Sequence, residues 1–207
     1  MTAVILTGGD MLSPNLIKRE INNSKYIICA DSGYDSIANL NIKPDILLGD
    51  FDSIKNKEQL NSNLNVLKYP TKKDFIDTEL AIEHAIEKGF KNIKILGGYG
   101  SRADHSLINI LMLKRYSDAG IKIYLVNNNN KITYCDKNLE IKEEDYDYIS
   151  IIPYSENVKV STYNLEYELK EGIIPFGTSL GISNKIKSHP AKIDLVDGQA
   201  FIIFSKD

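Results

Sequence analysis

The chain has 207 residues, 43% of them hydrophobic and 26% charged, and carries a formal net charge of -3. That composition suits a globular protein of one large or two small domains, and it offers no basic surplus to draw a nucleic acid. No run approaches the roughly 20 apolar residues of a membrane span, and Met1 to Gly9 lacks the basic segment and the long apolar run of a signal peptide, so the expectation is a cytoplasmic protein without a membrane partner.

In chain order, Val4-Ile5-Leu6, Tyr26 to Ala30, Ile46-Leu47-Leu48, Asn65-Val66-Leu67, Ile93 to Leu96 and Ile121 to Val126 read as strands. They are short and rich in branched residues, as buried parallel strands are. Helical segments lie between them. Thr78 to Lys88 puts Leu80, Ala81, His84 and Ala85 on one stripe and stops at Gly89; His105 to Ser117 is closed by Gly120. On that stripe His84 reads as a packed side chain rather than a ligand. The alternation predicts a parallel sheet covered by helices on both faces.

The pattern changes at Asn127-Asn128-Asn129-Asn130, a polar break short enough to be a tight connection between domains. Beyond it the helical period disappears. Lys131 to Tyr134, Tyr148 to Ile152, Val158 to Thr162, Leu165 to Leu169, Ala191 to Val196 and Ala200 to Phe204 read as strands, with turn signals at Glu171-Gly172 and Asp197-Gly198. The expected domains are an α/β domain over residues 1–127 and a small antiparallel β domain over 131–207. Cys29 and Cys135 have no Cys or His at ligand spacing and read as buried free thiols.

Ligands of open α/β sheets bind beyond the carboxyl ends of the strands. Those ends carry Gly8-Gly9-Asp10, Asp31-Ser32-Gly33, Gly49-Asp50-Phe51-Asp52-Ser53, the stretch Lys72-Lys73-Asp74 to Asp77, and Gly97-Gly98-Tyr99-Gly100-Ser101-Arg102-Ala103-Asp104-His105. A single Asp there is an ordinary turn or cap residue. A series of them at one sheet edge would repel, and a hard divalent cation such as Mg²⁺ removes that repulsion by taking oxygen ligands. In an extended turn Asp50 and Asp52 point to the same side. Lys72, Lys73 and Arg102 lie in the same loops. Arg102 precedes a helix N-terminus, where backbone N–H groups and a guanidinium both suit phosphate.

The P-loop pattern is absent. Gly98 to Ala103 fits the Gly-x-Gly-x-x-Gly/Ala dinucleotide fingerprint, but it comes late in the chain, and the next strand ends in Asn127 and Asn128 with no acid for a ribose. Asp104 reads equally as a helix cap or as a phosphate-side residue, with His105 beside it. The residues alone thus admit a Mg²⁺-dependent nucleotide enzyme, another Asp-x-Asp enzyme such as a sugar-nucleotide transferase or phosphatase, and a non-enzymatic nucleotide-binding regulator.

The ordered set Ala30-Asp31-Ser32-Gly33, Pro44-Asp45, Gly49 to Ser53, Lys73-Asp74 with Asp77 and Glu79-Leu80-Ala81, Gly97-Gly98-x-Gly-x-Arg102-x-Asp104-His105 with Asn109, and Gly177 to Asn184 resembles the bacterial thiamine pyrophosphokinases over nearly the whole chain. The resemblance implies α/β plus all-β: a Rossmann-like N-terminal domain and a C-terminal β-sandwich. It also implies transfer of a diphosphoryl group from ATP to thiamine, and a homodimer whose site lies between the α/β domain of one subunit and the β domain of the other. Carried over by position, Asp50, Asp52 and Asp77 hold Mg²⁺, and Asp31, Lys73, Arg102, Asp104 and His105 belong to the ATP side. Asp104 joins the three metal residues as a catalytic candidate, and Ser183 and Asn184 approach thiamine. Ile76 departs from the family's frequent Thr before the acid at position 77. With no Trp in the chain, the aromatic that packs on thiamine is a Tyr or a Phe.

Overall fold

The computed structural model describes residues 1–55, 64–69, 75–142 and 145–207. They form two compact units, Met1–Asn128 and Asn129–Asp207.

The first unit runs β1 (Thr2–Leu6), α1 (Pro14–Asn22), β2 (Tyr26–Ala30), a 3-10 turn (Asp31–Ser36), β3 (Ile46–Gly49), β4 (Val66–Lys68), α2 (Asp77–Glu87), β5 (Asn92–Leu96), α3 (Ala103–Asp118) and β6 (Lys122–Val126). Its strands lie in the order β4-β3-β2-β1-β5-β6, all parallel. The chain builds outward from β1 to β4 and then returns to the other side of β1. The carboxyl ends of β1 and β5 therefore flank the point where strand order reverses, the standard crevice of such sheets. Ala3, Val4, Ile5 and Leu6 are fully buried, which explains why β1 reads as a continuous apolar run.

The sequence reading passes over α1, although its start is well marked. Pro14 occupies the first turn, and the Ser13 Oγ accepts from Leu16 N at 3.3 Å. Glu20 of α1 is buried because it is ion-paired with Lys94 of β5 and with Arg19. Helix α3 begins at Ala103 with Arg102 as its N-cap, so Asp104 stands inside the first turn and does not cap it. His84 is buried on α2, its Nε2 3.2 Å from the Tyr26 hydroxyl, as the stripe implies. Among the described residues no helix is long and apolar enough to cross a membrane.

The second unit comprises β7 (Asn130–Cys135), β8 (Asn138–Ile141), β9 (Tyr148–Pro153), β10 (Asn157–Tyr163), β11 (Gly172–Pro175), β12 (Ala191–Asp197) and β13 (Ala200–Ser205). β13 lies antiparallel between β7 and β9, and β11-β10-β12-β8 form a second antiparallel sheet. Ile149, Ile151, Val158, Val160, Ile193, Ile202 and Phe204 of the two sheets share one core. Cys29 and Cys135 are buried and free.

One expected strand is absent. Leu165 to Leu169 forms a loop with an isolated bridge from Leu165 to Ile186 and a bond from Thr162 N of β10 to Leu169 O at 2.9 Å. Asn164 takes a left-handed φ of 61° at its start, and Leu169 N donates to Thr162 Oγ1 at 2.9 Å. The apolar side chains that suggested a strand instead fold the loop onto the core. Short strands β8 and β11 escape the sequence reading, since polar or turn residues occupy half of each.

Candidate active site

A cavity of about 970 Å³ opens in the first unit beyond β1, β2, β3 and β5. One wall is made of two glycine loops locked together. A Cβ at Gly9 would lie 1.7 Å from Tyr99 O, so the loop after β1 can approach the loop after β5 only without a side chain there. Asp10 N donates to Tyr99 O at 2.5 Å, and Thr7 N donates to Leu96 O at 2.9 Å. From α3, Asn109 Nδ2 donates to Gly98 O at 2.8 Å, and Ser106 Oγ accepts from Gly100 N at 3.2 Å.

The opposite wall is acidic. Gly33 packs so closely on the end of β1 that a Cβ would lie 2.1 Å from Leu6 O. Two non-glycine residues here have left-handed backbones, Asp31 at φ 47° and Phe51 at φ 66°. Such conformations are costly and gather at functional sites. Asp50 Oδ1 accepts from Asp52 N at 3.1 Å, which fixes the Asp-x-Asp turn, and Ser53 Oγ donates to Asp31 Oδ2. Asp31 Oδ1 is buried with no hydrogen-bond partner among the described residues. Burial holds the Asp31 carboxyl above its ordinary range; Asp77 and Asp50 push the same way, against the Ser53 bond.

Asp31, Asp50, Asp52 and Asp77 all line this cavity, as do Arg102 and His105. Asp104 does not. It holds Arg102 at the rim, with Nη2 2.6 Å and Nε 3.3 Å from its two oxygens. That pairing draws the Asp104 carboxyl below its usual range. Lys73 lies outside the described residues. Asp10, Tyr99 and Asn109, which belong to the sequence motifs but carried no assigned role there, also line the cavity, as does Thr78.

The donor set suits a hard cation. It consists of carboxylate oxygens, one of them buried and without a donor. Among the described residues no three His, Cys, Asp or Glu side chains are already gathered as a metal site. Mg²⁺ does not require such a cage, because it is usually bound through one or two carboxylates, waters and substrate phosphates.

The second unit has its own cavity of about 290 Å³, walled by Ile149, Ile151, Leu165, Leu169 and Ile174 with Tyr167, Leu180, Ile182 and Asn184 at its edge. Asn184 Oδ1 accepts from Tyr167 N at 3.0 Å, and its Nδ2 donates to Tyr167 O at 2.7 Å. The amide thus brackets Tyr167, whose exposure is 68%. Ser183 has a left-handed φ of 57°, and its N donates to Ser150 Oγ at 3.0 Å; it is not among the residues lining this cavity.

Two family models match the chain, "Thiamin pyrophosphokinase, catalytic domain" over residues 17–125 and "Thiamin pyrophosphokinase, vitamin B1 binding domain" over 137–199. A thiamine pyrophosphokinase of Bacillus subtilis is 33% identical over 216 residues, covering 100% of this chain and 99% of the relative. A crystal structure of thiamine pyrophosphokinase from Bacillus subtilis superposes with a TM-score of 0.88 at 32% identity, covering 100% of both chains. Another, from Geobacillus thermodenitrificans, gives 0.87 at 27% identity and covers 100% of this chain and 98% of that one.

Proposed function

The chain belongs to the thiamine pyrophosphokinase family, and on that footing we propose that it transfers the diphosphoryl group of ATP to thiamine, yielding thiamine diphosphate and AMP. The observation that carries the reading is the convergence of the acidic and glycine-rich strand ends on one large cavity at the switch point of the sheet. The α/β unit takes ATP, and the β unit supplies the thiamine side.

Asp50, Asp52 and Asp77 would hold Mg²⁺, with Asp31 in the same acidic pocket. A Mg²⁺ ion, when bound, supplies charge neutralisation to the phosphates. The protein's own work is positioning and electrostatics, as in phosphoryl transfer generally. Arg102, which lines the cavity, would meet phosphate, and Asp104 keeps its guanidinium oriented. His105 and the N–H groups at the start of α3 face the same anion, and Lys73 belongs with them. The thiamine hydroxyl must lose a proton, and a carboxylate at the site is able to accept it; Asp77 lines the cavity and Asp104 does not, which favours Asp77 as the acceptor.

In the β unit, Tyr167 is the aromatic that packs on thiamine, with Asn184 fixing its backbone and Ser183 on the same turn. The protein works as a homodimer in which the α/β unit of one subunit meets the β unit of its partner. Exposed Leu107, Ile108 and Leu111 on α3, and Tyr167, Phe176 and Leu180 in the β unit, are apolar surface that such an association would cover. We place the protein in the cytoplasm, where ATP is available as co-substrate.

One assay tests the reaction. The protein is incubated with ATP, Mg²⁺ and thiamine, and the nucleotide product is identified. AMP formed only when thiamine is present is the expected result. ADP, phosphate released without thiamine, or no turnover would overturn the proposal.

A further inference from the structure

We propose that Asn128 is a positioning residue for the glycine-loop wall of the large cavity, a role that rests on reading that cavity as the ATP site. The loop after β1 supplies Gly8, Gly9, Asp10 and Met11 to the cavity. It has little packing to hold it. Leu12 is buried at 5% exposure, but Met11 is 91% exposed. Two successive glycines make such a segment expensive to order, so its shape depends on directed bonds.

Two sets of bonds supply them. Asp10 N ties the loop to Tyr99 O. The second is the side-chain amide of Asn128, just beyond β6. Its Oδ1 accepts from Ser13 N at 2.8 Å, and its Nδ2 donates to Met11 O at 2.9 Å. One planar amide thereby satisfies a backbone donor and a backbone acceptor two residues apart, using both its oxygen and its nitrogen. Ser13 is also the N-cap of α1, so the same contact fixes where the loop ends and the helix begins. Asn128 itself does not line the cavity. It acts through Met11 and Ser13 on the residues that do. In the sequence it stands where a dinucleotide fold would carry an acid for the ribose; here the amide holds a loop.

Asn128→Ala removes both bonds. Asn128→Asp keeps an acceptor for Ser13 N and loses the donor to Met11 O. For the full-length protein the KM for ATP is expected to rise roughly three- to tenfold in Asn128→Ala and less in Asn128→Asp. The KM for thiamine and kcat should stay within about twofold, the scatter of ordinary kinetic comparison. Backbone amide exchange at Asp10 to Leu16 should accelerate in the same order, with the remaining amides of the first unit unchanged. An unchanged KM for ATP in Asn128→Ala would refute the role. So would a fall in melting temperature with kcat and both KM values moving together, the mark of a merely structural residue. If the native protein makes no AMP, the ATP reading fails on its own account, and unchanged exchange at Asp10 to Leu16 is then the result that refutes the clamp.

Discussion

Asp50 and Asp52 share a turn in which the backbone of one is hydrogen-bonded by the carboxylate of the other. Replacing either carboxylate with an amide keeps the shape and removes a negative oxygen. Asp50→Asn and Asp52→Asn are each expected to lower turnover about 100-fold or more, the scale of losing one preorganised electrostatic partner, with the far-UV circular dichroism unchanged. Near-native rates in both would remove them from the metal site. These acids were legible because strand ends are where open sheets bind ligands, and the strands themselves were readable. Less visible were residues whose part depends on the direction of a side chain. Thr78 lines the cavity one residue past Asp77 and offers a hydroxyl near where Ile76 lacks one. Asn109 is buried and bonded to Gly98 O, and nothing in its spacing announces that contact. Asp104 is placed differently from its neighbours. It lies next to cavity residues in the chain, yet its carboxylate turns to Arg102 at the rim.

At the scale of elements, α2 links the acidic wall to the core. It starts at Asp77 and carries His84, whose ring stacks with Tyr26 of β2 at 6.0 Å between centroids; Tyr26 also stacks with Phe90. Burial, with Lys88 adding, lowers the His84 pKa below its ordinary value, while Glu87 opposes. Folding therefore favours the neutral ring, and unfolding makes it easier to protonate. This contribution is fully present above the ordinary histidine value of about 6.5 and is lost as pH falls through the lowered folded value. The melting temperature should decline from pH 7 to pH 5 more steeply in the native protein than in His84→Phe, which keeps the stack; equal slopes would exclude His84 as the cause. The long helices α2 and α3 were legible from their stripes and glycine stops. The loop at Leu165 to Leu169 was not, because alternation of apolar residues is also what a loop shows when its side chains plug a core.

For the whole molecule, the described residues form two units, Met1–Asn128 and Asn129–Asp207, and each has its own core and its own cavity. What a sequence cannot display is which surfaces are left apolar once both cores are filled. Sedimentation at micromolar concentration is expected to give a dimer carrying the activity, whereas a fully active monomer would rule out the shared site. The closely packed glycines of the two cavity walls set a further limit, on divergence. Gly9 and Gly33 are obstructed by main-chain oxygens, not by side chains that a second mutation is able to trim. A side chain at either position has to displace main chain, so no small first step leads away from glycine there. A lineage leaving this reaction keeps both glycines or abandons the crevice altogether.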